Sequence, residues 1–319
     1  MKVVLMVILA VLVGVFVAIE IGLRSLFGFG NPLIYIGDEK IGYLLAPNQQ
    51  TYRFGSRIEI NEFSMRSGKI SKIHAPGTFR VLLLGDSIAN GGWWTDQKNT
   101  ISNLLMNSLT HSSNYQQIEV LNASANSWSP RNELAYLQKF GTFQSQNLVL
   151  LINTDDLFGT APTSLPVGRD KNYPDRKPPL AIVEVLQRYT FKQKPIPELE
   201  ALYQEGGDRV GIILEAIGNI QTLTQANNSQ LIVTMTPLLR ELNAKETRDY
   251  EIIARQRLRD FVTEKKINYI DFLPIFQANA NPKSWYHDHI HLNLQGNQFV
   301  VDVIEKSLLE SLGQNSTTD

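Results

Sequence analysis

The feature that most constrains the fold of this chain is an alternation of short apolar runs with longer amphipathic stretches. Five runs have the length and composition of buried strands, and helical patterns lie between and after them. Strands that alternate with helices predict a parallel sheet covered by helices on both faces. The predicted strands are 80–84, 118–121, 148–152, 231–234 and 269–272, and the predicted helices are 101–109, 131–140, 210–226, 247–265 and 297–312.

The tetrapeptide Gly85-Asp86-Ser87-Ile88 directly follows the first predicted strand. A serine at the point where a strand gives way to a helix has an exposed hydroxyl, and the helix N-terminus presents backbone N–H groups beside it. Nucleophilic acyl chemistry needs both an accessible hydroxyl and donors for a developing oxyanion. Serine is also a preferred helix N-cap, so capping alone could explain Ser87. Asp86 is interpreted as a structural turn residue.

The partners that a serine nucleophile needs lie near the other end of the chain. Asp288 and His291 form Asp-x-x-His, and their three-residue spacing lets one turn supply both side chains. A histidine base needs a carboxylate that fixes its tautomer and stabilises the imidazolium. Functional loops of a parallel sheet gather at the carboxyl ends of its strands. We therefore predict that Ser87, His291 and Asp288 meet there as nucleophile, base and orienting carboxylate.

The same C-terminal segment allows a different interpretation. His287, His289 and His291 alternate, so on an extended strand all three rings would face one way and could bind zinc. This metallohydrolase hypothesis leaves Gly-Asp-Ser unexplained and gives Ser87 no role. The chain contains no cysteine, which excludes disulfides, thiol catalysis and thiolate metal sites. The serine interpretation, which needs no metal and no other cofactor, is favoured.

An uninterrupted apolar run from Val3 to Ile19 follows Lys2 at the N-terminus. As a helix it would be about 26 Å long, close to the hydrocarbon thickness of a bilayer. A cleaved signal peptide is the alternative, but the run is longer than a usual signal core and no convincing small-x-small cleavage site follows. We predict that residues 1–24 are an uncleaved single-pass anchor, with the catalytic domain on the extracytoplasmic side. The net charge of −1 gives no electrostatic argument for nucleic-acid binding.

In these motifs the chain resembles the SGNH (GDSL-type) hydrolases, and among them the membrane-anchored bacterial members. Gly-Asp-Ser follows the first strand and Asp-x-x-His precedes the last helix, while residues 61–66 (Asn-Glu-Phe-Ser-Met-Arg) resemble the Asn-x-x-Gly-x-Arg stretch upstream of the core. The similarity covers residues 61–312, apart from one insertion. It implies a three-layer α/β/α fold with a flavodoxin-like, five-stranded parallel sheet, and a serine hydrolase that acts on acyl esters.

Two internal motifs depart from the pattern of these hydrolases. In the second motif, Asn-x-x-x-x-Gly, Ser127 stands at the glycine whose N–H donates to the oxyanion. That donor survives if Ser127 adopts the required dihedral angles. In the third motif, Gly-x-Asn-Asp, Asp155 stands at the asparagine whose amide is another donor. An ionised carboxylate repels an oxyanion. We therefore expect that Asp155 is protonated, that it points elsewhere, that Asn153 or Thr154 replaces it, or that the site is weakened.

The remaining segments are less regular. The hydrolase domain is assigned to residues 79–313, residues 25–78 to a stalk and covering segment, and 314–319 to a polar tail after Gly313 ends the last helix. Seven prolines and a cluster of basic residues fall within 157–207, interpreted either as a surface excursion or as a lid over the site. Trp93 and Trp94 suit either stacking on a sugar ring or packing in the core.

The resulting prediction is a serine-dependent esterase or acylhydrolase that acts outside the cytoplasm on a small-molecule or glycan acyl ester. Location and resemblance together favour deacetylation of a cell-envelope polysaccharide. Two further hypotheses use the same residues. One is an O-acyltransferase with the same triad, and the other is a membrane-tethered glycan-binding protein in which Ser127 and Asp155 mark a degenerate site.

Overall fold

The apolar run at the N-terminus forms one long helix in the computed structural model, which describes residues 1–315 and side chains as far as Glu310. This helix, α1 (Lys2–Phe27), has 26 residues, none of them buried, and it is long and apolar enough to cross a membrane. It ends at Gly28, whose φ of 74° is left-handed. A Cβ at Gly28 would lie 1.7 Å from the carbonyl oxygen of Tyr52, so only glycine fits.

The last turns of α1 are fixed to the folded domain. The Glu20 carboxylate accepts hydrogen bonds from the N–H groups of Ala181 at 2.8 Å and Ile182 at 3.1 Å. Arg24 donates to the carbonyl oxygen of Pro179 at 3.2 Å. The domain therefore begins where the apolar run ends, and direct packing takes the place of the predicted stalk.

Two antiparallel hairpins follow α1. One pairs β1 (Tyr35–Asp38) with β2 (Gly42–Leu45), and the other pairs β3 (Gln49–Arg53) with β4 (Ser56–Ile60). Their apolar side chains are buried in the same core as one face of the central sheet, namely Tyr35, Ile41, Tyr43, Leu44, Leu45, Ile58 and Ile60. The residues after α1 thus act as a covering layer, and neither hairpin was predicted from the sequence.

The central sheet has five parallel strands, each of which coincides with a predicted strand. They are β5 (Thr78–Gly85), β6 (Gln117–Ser124), β7 (Asn147–Asn153), β8 (Gln230–Thr236) and β9 (Asn268–Asp271). Their spatial order is β6-β5-β7-β8-β9, which is the flavodoxin-like order predicted. Every residue of the central strands β5 and β7 is buried, as expected for a sheet covered on both faces.

Helices cover both faces of the sheet and complete the predicted α/β/α layers. The helices of the domain are α2 (Ser87–Asn90), α3 (Ile101–Ser112), α4 (Pro130–Phe140), α5 (Ala181–Tyr189), α6 (Pro197–Tyr203), α7 (Arg209–Ala226), α8 (Asp249–Glu264), α9 (Phe272–Gln277) and α10 (Leu294–Asn315). One face packs against α4, α7 and α8 together with the hairpins. The other packs against α2, α3, α9 and α10.

The end of the last helix and the 157–207 insertion could not be described in full from the sequence. Helix α10 continues through Gly313 to Asn315, so the predicted helix end at Gly313 is wrong. Residues 316–319 of the predicted tail lie outside the described residues. The insertion at 157–207 carries α5 and α6 between proline-rich connections. Its side chains Tyr173, Leu199 and Tyr203 line the cleft that contains Ser87, so the insertion forms one wall of that cleft.

Candidate active site

Ser87 lies on a sharp turn between β5 and α2. Gly85, the last residue of β5, allows this turn because a Cβ there would lie 2.5 Å from the carbonyl oxygen of Leu151 on β7. Asp86 caps α2, since its Oδ1 accepts the N–H of Ile88 at 2.8 Å. Asp86 is therefore the N-cap and Ser87 is the first helical residue. The Ser87 hydroxyl is not used for capping and lines the cleft.

The three residues predicted as a triad meet at one edge of the sheet. Nε2 of His291 lies 2.8 Å from Oγ of Ser87, and Nδ1 of His291 lies 2.7 Å from Oδ2 of Asp288. Oδ1 of Asp288 accepts the N–H groups of Ile290 at 2.9 Å and of His291 at 2.8 Å. A proton held on Nδ1 by the carboxylate leaves Nε2 as the acceptor for the serine proton.

The surroundings of Asp288 favour its ionised form. Partial burial by itself raises the pKa of Asp288, but N–H bonds from His291 and Ile290 and the adjacent imidazole outweigh it and lower this pKa to about 2. The His291 ring also packs edge-on against Trp94, with the ring centroids 4.6 Å apart. The carboxylate therefore stays charged wherever a histidine base is active, and the imidazole is held from both sides.

The alternating histidines do not form the zinc site that they would form on an extended strand. Residues 287–290 form a bend, which a bridge between Tyr286 and Leu292 closes. The His287 ring stacks on Trp94 at 5.4 Å, and the His289 side chain is 77% exposed. No three histidine, aspartate or glutamate side chains in the described part of the chain are arranged to hold a metal ion. The metallohydrolase hypothesis requires residues 287–291 to form an extended strand. That prediction is therefore wrong.

Ser127 has a left-handed backbone conformation of the kind that favours glycine. Its φ is 59°, in the left-handed region where glycine is the usual residue. Its hydroxyl accepts a hydrogen bond of 3.0 Å from the hydroxyl of Tyr173, a residue of the 157–207 insertion. Among the described groups, none accepts a hydrogen bond from the backbone N–H of Ser127. Ser127 lines the same cleft as Ser87, so this N–H is available to a substrate there.

Asn153 organises the turn that carries Ser87. Its amide nitrogen donates to Asp86 at 2.9 Å and to Asp156 at 2.8 Å, and its Oδ1 accepts the N–H of Asp155 at 2.7 Å. Because two carboxylates take the amide hydrogens, Asn153 has none left for an oxyanion. The alternative in which Asn153 supplies the oxyanion donor does not fit this arrangement, because its amide instead holds Asp86, the N-cap of α2.

The Asp155 carboxylate lies near a cation and remains in the cleft. Its side chain is 54% exposed, and one of its carboxylate oxygens lies 3.7 Å from a guanidinium nitrogen of Arg240. Asp155 also lines the cleft beside Ser87. The carboxylate therefore adds negative charge to the cleft where the family asparagine would add an N–H donor.

The cleft has two lobes, and Ser87 lies where they meet. One lobe has a volume of about 460 Å³ and the other about 360 Å³. Ser87, Ser127 and Tyr173 line both lobes. The larger lobe is further lined by Arg53, Phe54, Trp93, Trp94 and Tyr189, and the smaller by Asp155, Phe158, Pro162, Leu199 and Tyr203. A substrate can therefore place one group on each side of a bond that lies at Ser87.

Arg66 supports this cleft, a role that was not predicted from the sequence. It is fully buried and donates to three carbonyl oxygens at the end of α2 and in the loop after it, those of Asn90, Gly92 and Thr95. Burial lowers the pKa of Arg66 to about 9. The loop that it holds carries Trp93 and Trp94. The sequence contained a cue to this role, because Arg66 is the arginine that ends the Asn61–Arg66 stretch. Ser64, at the glycine position of the same stretch, has a left-handed φ of 62°.

Known proteins that are similar to this chain include esterases and acylhydrolases. The GDSL-like lipase/acylhydrolase family model matches residues 83–299, which is more than half of the chain. No curated protein matches the sequence. Similar solved structures include TesA, with 14% identity, 72% of this chain and 97% of that chain covered, and a TM-score of 0.47. An acetyl xylan esterase, AlAXEase, has 16% identity, coverage of 72% and 99%, and a TM-score of 0.46.

A lipase/acylhydrolase from Enterococcus faecalis has 13% identity, coverage of 72% of this chain and 95% of that chain, and a TM-score of 0.45. The family model begins within β5 and ends within α10, so it spans both Ser87 and the loop of Asp288 and His291. The predicted fold and the predicted family are therefore confirmed together, and the chain is an enzyme that belongs to the GDSL-like lipase/acylhydrolase family.

Proposed function

We propose that the protein cleaves carboxylic esters by covalent catalysis, with Ser87 as nucleophile, His291 as general base and Asp288 as the orienting carboxylate. One observation carries this proposal, the continuous pair of short contacts of 2.8 Å from Ser87 to His291 and 2.7 Å from His291 to Asp288. A nucleophile hydrogen-bonded to a base that a third group orients is the arrangement that activates a serine hydroxyl.

In the proposed reaction, Oγ of Ser87 forms a bond to the acyl carbon while its proton passes to Nε2 of His291. The tetrahedral intermediate collapses when the bond to the alcohol oxygen breaks, and the His291 proton goes to that oxygen. Water, deprotonated by His291, then attacks the acyl-enzyme and releases the carboxylic acid and Ser87. Asp288 stays ionised and stabilises the imidazolium in each step.

The backbone N–H groups of Ser87 and Ser127 are proposed to receive the oxyanion. The left-handed φ of Ser127 and its unused N–H support this role. The third donor of the family pattern has no equivalent, because Asn153 binds carboxylates and Asp155 is itself a carboxylate. We therefore expect turnover roughly a hundredfold below that of a site with all three donors.

An acylated polysaccharide of the cell envelope is the substrate that we propose, with the protein anchored outside the cytoplasm. The two-lobed cleft accepts groups on both sides of the ester, and Trp93, 46% exposed, offers a ring face for a sugar. The apolar helix α1 and Lys2, its first residue, support an anchor with a cytoplasmic N-terminus.

Covalent labelling of full-length protein by a fluorophosphonate tests the nucleophile directly. We expect one labelled serine, Ser87, and hydrolysis of p-nitrophenyl acetate that Ser87→Ala and His291→Ala each reduce at least a thousandfold. Ser112→Ala is the control, since Ser112 is an exposed serine on α3 that donates to Glu305 of α10 and lines neither lobe of the cleft. Labelling of another serine, or full activity of Ser87→Ala, would refute the proposal.

A panel of acetylated saccharides then tests the substrate class and the direction of acyl transfer. Release of free acetate is expected for hydrolysis, whereas acetyl groups that appear on an added saccharide acceptor would indicate the transferase. Hydrolysis of p-nitrophenyl acetate without activity on any acetylated saccharide would overturn the polysaccharide assignment and leave the triad intact.

A further inference from the structure

The 157–207 insertion contains a cavity of about 690 Å³ that no step of the proposed reaction uses. All seven basic residues of the insertion line this cavity, whereas only three of its six acidic residues do. The seven, which we call the basic cluster, are Arg169, Lys171, Arg176, Lys177, Arg188, Lys192 and Lys194. Since the whole chain has a net charge of −1, this positive charge is a local property.

Much of this positive charge has no partner. Arg169 pairs with Glu198 and Arg188 pairs with Glu184, both within the insertion. Three other members, Lys177, Lys192 and Lys194, form no ion pair with any side chain that the structure describes. A surface with several unpaired cations attracts anionic groups and concentrates them.

The basic cluster lies beside the end of α1. The carboxylate of Glu20, the first charged residue after the apolar run, accepts both N–H bonds from the first turn of α5. Arg24 reaches the carbonyl oxygen of Pro179, and Lys177 precedes that proline by two residues. If residues 3–19 occupy the bilayer core, Lys177 and the start of α5 are at the level where the chain leaves it.

Exposed apolar side chains accompany the basic cluster. Tyr189 is 67% exposed and Phe191 is 64% exposed, and Phe191 lines the cavity together with the lysines. Leu186, one turn earlier on α5, is 44% exposed. Aromatic side chains next to lysines and arginines are typical of surfaces that lie at the headgroup level of a membrane.

We propose that the basic cluster is a docking surface for anionic lipid headgroups, which holds the catalytic domain against the bilayer. This inference rests on the membrane anchor of the proposed function. A lipid surface suits this site better than a soluble polyanion, because the cations combine with exposed aromatic groups beside a helix of bilayer length. Each lysine or arginine at such a surface adds to the attraction for anionic lipid, and the attraction weakens as the salt concentration rises.

Docking of this cluster also orients the cleft. Lys171 and Arg188 line both the basic cavity and the larger lobe next to Ser87. The mouth of that lobe therefore lies at the membrane surface when the cluster binds lipid. The enzyme would then act on material that lies within reach of the bilayer.

Lysine labelling of the full-length protein in lipid nanodiscs tests this surface. The nanodiscs contain either phosphatidylcholine alone or phosphatidylcholine with phosphatidylglycerol, and mass spectrometry measures acetylation of each lysine after a short pulse. With phosphatidylglycerol we expect labelling of Lys177, Lys192 and Lys194 to fall on the order of fivefold, and to recover at high salt. Lys245, Lys265 and Lys306 serve as reference lysines, and equal labelling of all six in both lipids would overturn the proposal.

Matched variants show whether the charges act together. The triple change Lys177→Gln, Lys192→Gln and Lys194→Gln should abolish the lipid-dependent protection of Lys171, while Lys245→Gln, Lys265→Gln and Lys306→Gln should preserve it. Protection of Lys171 in both variants would count against the proposal. If soluble polygalacturonate protects the cluster in phosphatidylcholine discs and phosphatidylglycerol does not, the surface binds a polymer and the lipid assignment is wrong.

Two measurements separate this inference from the function on which it rests. Intact mass of the reconstituted protein shows whether α1 is retained, and hydrolysis of p-nitrophenyl acetate in the same discs reports on the triad. If the protein hydrolyses p-nitrophenyl acetate but its lysines show no lipid-dependent protection, only the proposed docking surface is refuted. If the lysines are protected but the protein does not hydrolyse the ester, the proposed catalysis is refuted and the docking surface is supported.

Discussion

Ser127 occupies a conformation that few side chains accept, with a φ of 59°. We predict that Ser127→Gly keeps or raises kcat/KM for p-nitrophenyl acetate, because glycine adopts this φ without strain and retains the N–H. We predict that Ser127→Val lowers kcat/KM about a hundredfold, because a β-branched residue moves the peptide away from the oxyanion. Steady-state kinetics measure both effects, and circular dichroism checks that each variant is folded.

Tyr173→Phe is the control for the Ser127 hydroxyl, which accepts a hydrogen bond from Tyr173. If the backbone N–H of Ser127 stabilises the oxyanion, Tyr173→Phe should change kcat/KM only slightly. In a protein that already carries Ser127→Gly, Tyr173→Phe should not change kcat/KM. A Ser127→Gly variant as impaired as Ser127→Val would contradict the role of this peptide.

Asp155 brings a negative charge to the cleft at the position where the family places an amide. We predict that Asp155→Asn raises kcat/KM several-fold and on the order of tenfold at most, because an oxyanion no longer meets a carboxylate. The change also removes the ion pair with Arg240, so Asp208→Asn, which breaks a surface pair with Arg257, is the matched control. A collapse of kcat in Asp155→Asn with normal folding would mean that the carboxylate itself takes part in the reaction.

The part of the site that the sequence could predict is the part with local signals. Ser87 follows a strand, and Asp288 and His291 share one turn, so spacing alone indicated their roles. The role of Asn153 was not predictable, because the direction of its amide depends on Asp86 and Asp156, which reach it from two different turns. For the same reason Arg66 had no assigned role, since its three carbonyl acceptors lie in a loop more than twenty residues away.

Among the elements, those of the central domain were predictable and the covering hairpins were not. Strands β5 and β7 are buried along their whole length, so they stand out as continuous apolar runs. Strand β3 (Gln49–Arg53) has only two of its five residues buried, and strand β1 only one of four. Short strands of this kind become recognisable only once the surface that they cover is known.

Helix α4 carries a buried carboxyl group, that of Glu133, without hydrogen bonds to the described side chains and backbone. Glu133 is fully buried, and neither of its carboxylate oxygens has a hydrogen-bond partner among the described groups. Burial, with a smaller contribution from the Asp86 carboxylate, raises the pKa of Glu133 well above its usual value. At Glu133 the folded protein therefore binds more protons than the unfolded chain above about pH 4, so the contribution of this one group to stability falls as pH rises.

We therefore predict that the free energy of unfolding falls less between about pH 5 and pH 8 in Glu133→Gln than in the parent protein. Urea unfolding at several pH values measures the free energy of unfolding of both proteins. Glu62→Gln, a change at an exposed position, should leave the pH dependence of the parent. If the curves of parent and Glu133→Gln run parallel across this range, Glu133 does not titrate as proposed.

At the scale of the whole molecule, the apolar helix, the covering hairpins and the insertion meet at Glu184 of α5. Its buried carboxylate accepts the N–H of Gly30 at 2.7 Å, pairs with Arg53 of β3 at 2.9 Å and pairs with Arg188 at 2.7 Å. Three segments far apart in sequence thus depend on one acidic side chain for their relative position. The larger lobe of the cleft depends on the same joint, because Arg53 and Arg188 both line it.

We predict that Glu184→Gln lowers the free energy of unfolding by about 3–5 kcal/mol, because it leaves the buried guanidinium of Arg53 without its counter-charge. Glu198→Gln is the matched control, since it removes the partner of Arg169 in an exposed pair and should cost less than about 1 kcal/mol. Denaturant unfolding gives both values, and limited proteolysis should cut the Glu184→Gln insertion faster while the parent stays intact. Equal and small effects of the two changes would show that the helix, hairpins and insertion are held together elsewhere.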